Sequence, residues 1–180
     1  MKLNAIQTNI AFGTNILDIE VPEHLKRKFR SGLNYVDGAM GGEGFTPSAV
    51  TLFTGTPGAG KTTLMLTMAD AMTKQGAIVL FNTAEESLFQ TAMTAKRLKL
   101  RNGFRCGNSA SVSEIIENAT KMSEEAKAAG KQFVLIVDSL QCLDDDKYSS
   151  GRGGAGIVII EVLWEPDRNC LSEDPSGWSS

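Results

Sequence analysis

The residues Gly55-Thr56-Pro57-Gly58-Ala59-Gly60-Lys61-Thr62, with Thr63 after them, carry the spacing Gly-x-x-x-x-Gly-Lys-Thr. That pattern has the chemistry to hold phosphate. Glycine lets the backbone turn tightly and aim its N–H groups inward, where a Cβ would meet phosphate oxygens. A helix beginning at the end of the loop would add its first N–H groups and the positive end of its dipole. Lys61 would reach the β- and γ-phosphates as a point charge, and the Thr62 hydroxyl would ligate Mg²⁺. The bare pattern arises by accident in on the order of one chain in a hundred, so its weight depends on what flanks it. The implied ligand is a nucleoside triphosphate with Mg²⁺. The guanine-reading pattern Asn-Lys-x-Asp is absent from the sequence, which favours ATP.

Three carboxylates are placed to work with such a loop. Asp138 closes the apolar run Phe133-Val134-Leu135-Ile136-Val137. At the end of a buried strand a carboxylate can hold Mg²⁺ opposite a phosphate loop, directly or through water. Many buried strands end in a solvated Asp, and it is the upstream loop that makes this one informative. Glu85 and Glu86 come after a second apolar run and Asn82-Thr83-Ala84. There a carboxylate stands where attacking water must be oriented, although acidic residues also suit a helix start. Ser139 and Gln141, just past Asp138, suit either sensing of the γ-phosphate or capping of the strand.

Other reactive types carry less. The single His24 has no clustered partner and reads as a solvated residue. Lys26, Arg27, Lys28 and Arg30 form the only dense basic cluster. It reads as a solvated face or subunit contact before a nucleic-acid site. Sequence-tolerant strand binding adds stacking aromatics, and only Phe29 and Tyr35 lie near. Cys106, Cys142 and Cys170 are odd in number and widely spaced, which is neither a disulfide framework nor a metal knuckle. The expected setting is reduced and cytoplasmic.

The hydrophobic pattern supplies a scaffold for these residues. Ala49–Thr54 is a short β-branched run read as a buried strand that leads directly into the loop. Thr62 to Gln75 has helical spacing, with Gly76 as its C-terminal stop. Ala77–Phe81 is a second strand, Ser87–Leu100 and Ser113–Ala129 are helices, and Phe133–Asp138 is a third strand. Its uniform hydrophobicity suits a parallel strand covered on both faces. Alternating strands and helices predict an α/β sheet with right-handed crossovers. The cluster Gly41, Gly42, Gly44 and Pro47 reads as a loop. From Asp144 the pattern weakens: Asp144–Asp146 and 149–156 read as an exposed flexible loop, and 165–180 as a poorly ordered tail.

Composition bounds the alternatives. The 180 residues suit one domain with a sizeable core. With 42% hydrophobic and 22% charged residues, this is an ordinary globular composition. A net charge of -3 argues against a surface-wide nucleic-acid field. No apolar run approaches the roughly 18 residues of a membrane span, and Met1–Ile16 lacks the apolar core of a signal peptide.

Taken together, Ser31-Gly32-Leu33-x-x-Val36-Asp37, Gly41-Gly42, Pro47, the strand and the phosphate loop resemble the entry to the core of RecA-like ATPases. The likeness is nearest to the bacterial DNA-repair ATPases of the RadA type, with KaiC and replicative hexameric helicases more distant. Thr83-Ala84-Glu85-Glu86-Ser87 resembles that family's Gly-Glu-Glu-Ser segment. Ala95–Leu100 resembles the stretch after that segment, and Val137-Asp138-Ser139-Leu140-Gln141 resembles the family's Walker B segment. The likeness covers residues 29–142. It implies a three-layer P-loop fold with a mainly parallel sheet, catalytic roles for Glu85 and Lys61 with Glu86 in reserve, and metal-holding by Thr62 and Asp138. It also implies homo-oligomers as a ring or filament, with single-stranded DNA as a partner.

The departures set further expectations. No four-cysteine zinc finger, Lys-Asn-Arg-Phe-Gly motif or protease-like domain is present in the sequence. RecA-type sheets insert a further strand between the loop strand and the Walker B strand. Only Ile157–Leu163 can supply it, and the glycine-rich stretch before it does not suit a crossover helix. The expected division is an arm at 1–28, a core at 29–143, and an incomplete core segment with a tail at 144–180. A core cut short there would leave strand edges unpaired. Two other readings stay open: a KaiC-like regulatory ATPase with protein partners, and a nucleotide-binding module without hydrolysis.

Overall fold

The computed structural model describes residues 10–21, 26–47 and 49–144, together with the backbone of 156–163. His24, Cys170, the loop at 149–155 and the tail at 165–180 lie outside the described residues. The described residues form five strands: β1 (Val50–Gly55), β2 (Ile78–Thr83), β3 (Arg105–Gly107), β4 (Phe133–Asp138) and β5 (Gly156–Leu163). The helices are α1 (Asn34–Ala39), α2 (Lys61–Lys74), α3 (Leu88–Arg97) and α4 (Val112–Ala128). The strands form one sheet in the order β1-β5-β4-β2-β3. Strand β2 runs parallel to β3 and β4, while β5 is antiparallel to both β4 and β1. Four strands therefore share one direction, and the sheet is mainly parallel, as expected.

The uniform runs of β2 and β4 are explained by cover on both faces. Val79, Phe81, Val134 and Ile136 pack with Met65, Leu66, Met68, Ala69 and Met72 of α2. Leu80, Phe133, Leu135 and Val137 pack with Ile115, Ala119 and Ala126 of α4. Alternate side chains of one strand thus enter two separate cores, which gives three layers. Strand β1 departs from its expected burial. It lies at the sheet edge, and Val50 and Leu52 remain 58% and 55% exposed.

The described residues bear on three other expectations. The stretch 157–163, the candidate for the inserted strand, fills that slot: β5 lies between β1 and β4 and pairs with both. It pairs antiparallel with both neighbours. The glycine-punctuated stretch before Gly41 contains α1. Its Asp37 is buried and accepts the Ser31 N–H at 2.7 Å, closing the segment on itself. Paired N–H···O bonds between Phe29 and Phe45, at 2.8 and 2.7 Å, then tie the start of this region to the approach to β1. Asp144, read as the start of an exposed loop, is exposed and also bridges to Ser111 at the start of α4.

Candidate functional site

The phosphate loop lies between β1 and α2, at the end of the sheet where the parallel strands finish. Gly58 and Gly60 have φ of 79° and 86°, in the left-handed region that glycine enters without penalty. Gly60 is the N-cap of α2 and offers no side chain to its first turn. The opening N–H groups of a helix lack intrahelical acceptors, so those of Lys61, Thr62 and Thr63 are left for another acceptor. A Cβ at Gly58 or Gly60 would meet none of the protein's own atoms within 4 Å. The collision expected of a Cβ there is with an incoming phosphate and not with the protein's own atoms. The Lys61 ammonium is already folded over the loop, donating to the carbonyls of Gly55 at 2.8 Å and Thr56 at 3.0 Å.

The end of β4 lies directly opposite. Thr62 Oγ1 donates to Asp138 Oδ2 at 2.6 Å, joining two residues 76 positions apart. Asp138 is only 6% exposed. Burial pushes its carboxyl above the ordinary value, the Thr62 hydroxyl opposes that, the nearby Glu85 charge adds to it, and Lys61 opposes it. A hydroxyl and a carboxylate side by side, both oxygen donors, fit a hard divalent cation such as Mg²⁺. The open glycine cradle, with uncapped N–H groups and a poised ammonium, fits a polyphosphate.

Glu85 reaches the same place from β2. The Ala84 N–H donates to the Asp138 carbonyl at 2.8 Å, which joins the ends of β2 and β4. Ser139, 1% exposed, donates its hydroxyl to Glu85 Oε2 at 3.1 Å. Glu86 does not share that contact. Its carbonyl accepts from Thr83 Oγ1 at 3.0 Å and from Asn108 Nδ2 at 3.0 Å. The structure therefore brings together Lys61, Thr62, Asp138 and Glu85. Gln141 sits half-buried in the short turn Leu140–Cys142.

Two residues of the site, Asn108 and Asn82, belong to no motif and were missed from sequence. Asn108 Nδ2 bonds the carbonyls of Thr83 and Glu86, clamping the turn that carries Glu85. Asn82 Nδ2 donates to the Ser109 carbonyl at 2.8 Å and its Oδ1 accepts the Ser109 N–H at 3.2 Å. The signal was the position of Asn82 at the polar end of an apolar strand, one residue before Thr83. The basic cluster gains little. Lys28 donates to Thr46 Oγ1 at 2.7 Å, and Phe29 packs against the core instead of standing free to stack. No helix among the described residues is long and apolar enough to cross a membrane.

Comparison with known proteins agrees with this arrangement. The AAA domain family profile matches residues 43–149. DNA repair protein RadA of Campylobacter jejuni is 33% identical over 150 residues, covering 83% of this chain and 31% of that protein. RadA of Haemophilus influenzae is 34% identical over 132 residues, covering 73% and 27%. RadA of Helicobacter pylori is 31% identical over 176 residues, covering 96% and 37%. The chain spans about a third of the length of these relatives.

Proposed function

The chain belongs to the AAA-domain P-loop ATPases as a RecA-like member similar to RadA, and from that premise we propose that it binds ATP with Mg²⁺, hydrolyses it, and acts in DNA repair or recombination on single-stranded DNA. The observation that carries this reading is the 2.6 Å contact of Thr62 with Asp138. It makes the phosphate loop and the end of β4 two halves of one site. We assign the working unit to residues 29–143.

In this scheme the loop N–H groups of Gly58 to Thr63 bind the phosphates, and Lys61 leaves the Gly55 and Thr56 carbonyls for β- and γ-phosphate oxygens. Thr62 and Asp138 hold Mg²⁺, which when bound neutralises charge on the phosphates. Glu85 orients a water for attack on the γ-phosphate and takes its proton. The Asp138 charge, close by, keeps a second negative group facing the same space.

RadA-type relatives are DNA repair proteins by name, and this supports single-stranded DNA as the partner and a homo-oligomer as the working form. The test is ATP turnover by the purified chain with and without single-stranded DNA. The expected result is turnover that DNA raises at low salt, with the effect fading as salt rises. A folded, ATP-hydrolysing chain indifferent to DNA at low salt would sink the DNA reading and favour a protein-directed regulatory ATPase. ATP binding without turnover would reduce the chain to a nucleotide-binding module. Lys61→Ala is expected to abolish the rise in Tm caused by Mg²⁺-ATP. An undiminished rise would refute the phosphate-loop assignment.

A further inference from the structure

We infer that Ser139 is the positioning residue that aims the Glu85 carboxylate, so that the strand end holding the metal site also sets the base. This rests on the reading of Glu85 as the residue that activates water.

The backbone around Glu85 is held on three sides. Ala84 N–H bonds the Asp138 carbonyl, Thr83 Oγ1 bridges to the Glu86 N–H and carbonyl at 3.1 and 3.0 Å, and Asn108 clamps the carbonyls of Thr83 and Glu86. The remaining freedom of Glu85 lies in its side-chain torsions. Glu85 is exposed, and an exposed glutamate samples many rotamers. It also stands near the Asp138 charge, and like charges push it outward to solvent.

The Ser139 hydroxyl opposes that. It is buried, it lies one residue past Asp138, and its donated bond to Glu85 Oε2 spans 54 positions of sequence. A hydroxyl carries one proton. Cys142 Sγ, 3.6 Å away, is the other acceptor within reach of that proton, and a sulfur is a weaker acceptor than the carboxylate at 3.1 Å. The hydroxyl thus sits at the turn after β4 with Glu85 as its stronger partner. Removing it leaves the turn intact and frees only the carboxylate, so nucleotide binding persists while water alignment is lost.

The experiment measures ATP turnover, the Mg²⁺-ATP shift in Tm, and the carbon-13 carboxyl resonance of Glu85, assigned by its disappearance in Glu85→Gln. For Ser139→Ala we expect kcat to fall on the order of tenfold, with KM for ATP and the Tm shift unchanged and the Glu85 resonance displaced. Ser139→Thr, which keeps the hydroxyl, should restore both kcat and the resonance. Ser139→Cys, of similar size but a weak donor, repeats the measurement if the alanine variant fails to fold. The inference is overturned if the folded variant keeps kcat within about twofold of wild type while Glu85→Gln is inactive. An unmoved Glu85 resonance overturns it equally, and that readout needs no turnover. If Glu85→Gln turns over as wild type does, the base reading itself has failed and this inference falls with it.

Discussion

At the scale of single residues, Asp138 carries the sharpest conflict between stability and function. Its carboxylate is buried, near Glu85, and its pKa is raised above the ordinary 3.8, chiefly by burial. A carboxyl whose folded pKa is raised gives its full stability below the unfolded pKa, and loses it as pH rises through the folded one. At neutral pH the ionised Asp138 therefore destabilises the nucleotide-free chain. Asp138→Asn keeps an acceptor for Thr62 Oγ1 and removes the charge. It is expected to raise stability without nucleotide at pH 7 by about 0.5–2 kcal/mol, the usual size of such a gain. The gain should close as pH falls below the ordinary Asp range, and the Mg²⁺-ATP shift in Tm should shrink. Thermal melts across pH, with and without Mg²⁺-ATP, decide it; a variant less stable than wild type at pH 7 would mean that Asp138 is not strained. The loop glycines, Lys61, Thr62 and Asp138 were legible because their spacing is local and their chemistry narrow. The bond from Ser139 to Glu85 and the Asn108 clamp were not, since they join residues 54, 25 and 22 positions apart that only folding makes neighbours.

At the scale of elements, three helices stop by one device. After α2, the N–H groups of Gly76 and Ala77 return to the carbonyls of Thr73 and Met72. After α4, those of Gly130 and Lys131 return to Lys127 and Ala126. After α3, Lys99 and Leu100 return to Lys96 and Ala95 in the same pattern. Glycine supplies the left-handed residue in the first two. In the third it is Lys99, with φ of 56°, the one non-glycine residue at positive φ among the described residues. Glycine marked the ends of α2 and α4 in the sequence, whereas α3 was read through to Leu100 because its stop carries no such mark. The six residues of α1, beside a glycine cluster, and the three of β3, of mixed type, are too short for their periodicity to mark them. Left-handed backbone costs an L-residue about 1–2 kcal/mol, partly offset by the larger unfolded-state entropy of glycine. Lys99→Gly is accordingly expected to stabilise the chain by about 0.5–1 kcal/mol, with ATP turnover unaltered. Denaturant unfolding checks it, and a lower midpoint would show that the Lys99 side chain contributes more than its backbone strain.

For the molecule as a whole, the sheet order decides whether the site holds together. The loop continues from β1 and Asp138 ends β4, and these strands are joined through β5 and not directly. Alternation of strands and helices made the layers readable, but periodicity contains nothing about direction, and a short apolar run such as 157–163 fits either sense. The pairing itself supplies it: β5 runs antiparallel to both β1 and β4. Residue 159 lies at the middle of this arrangement, opposite Leu52 of β1 and Val137 of β4. Proline has no N–H to donate and is tolerated in sheets at edges and bulges, not in a central strand. Ile159→Pro should therefore remove a ladder bond and distort pairing on both sides, at a cost of about 3 kcal/mol. In a chain of this size that corresponds to a fall in Tm of about 6–12 °C. Because β5 also spaces the phosphate loop from Asp138, the Mg²⁺-ATP shift should weaken along with the fold. A Tm within about 2 °C of wild type, with the nucleotide shift intact, would mean that β1 and β4 hold the site without β5 between them.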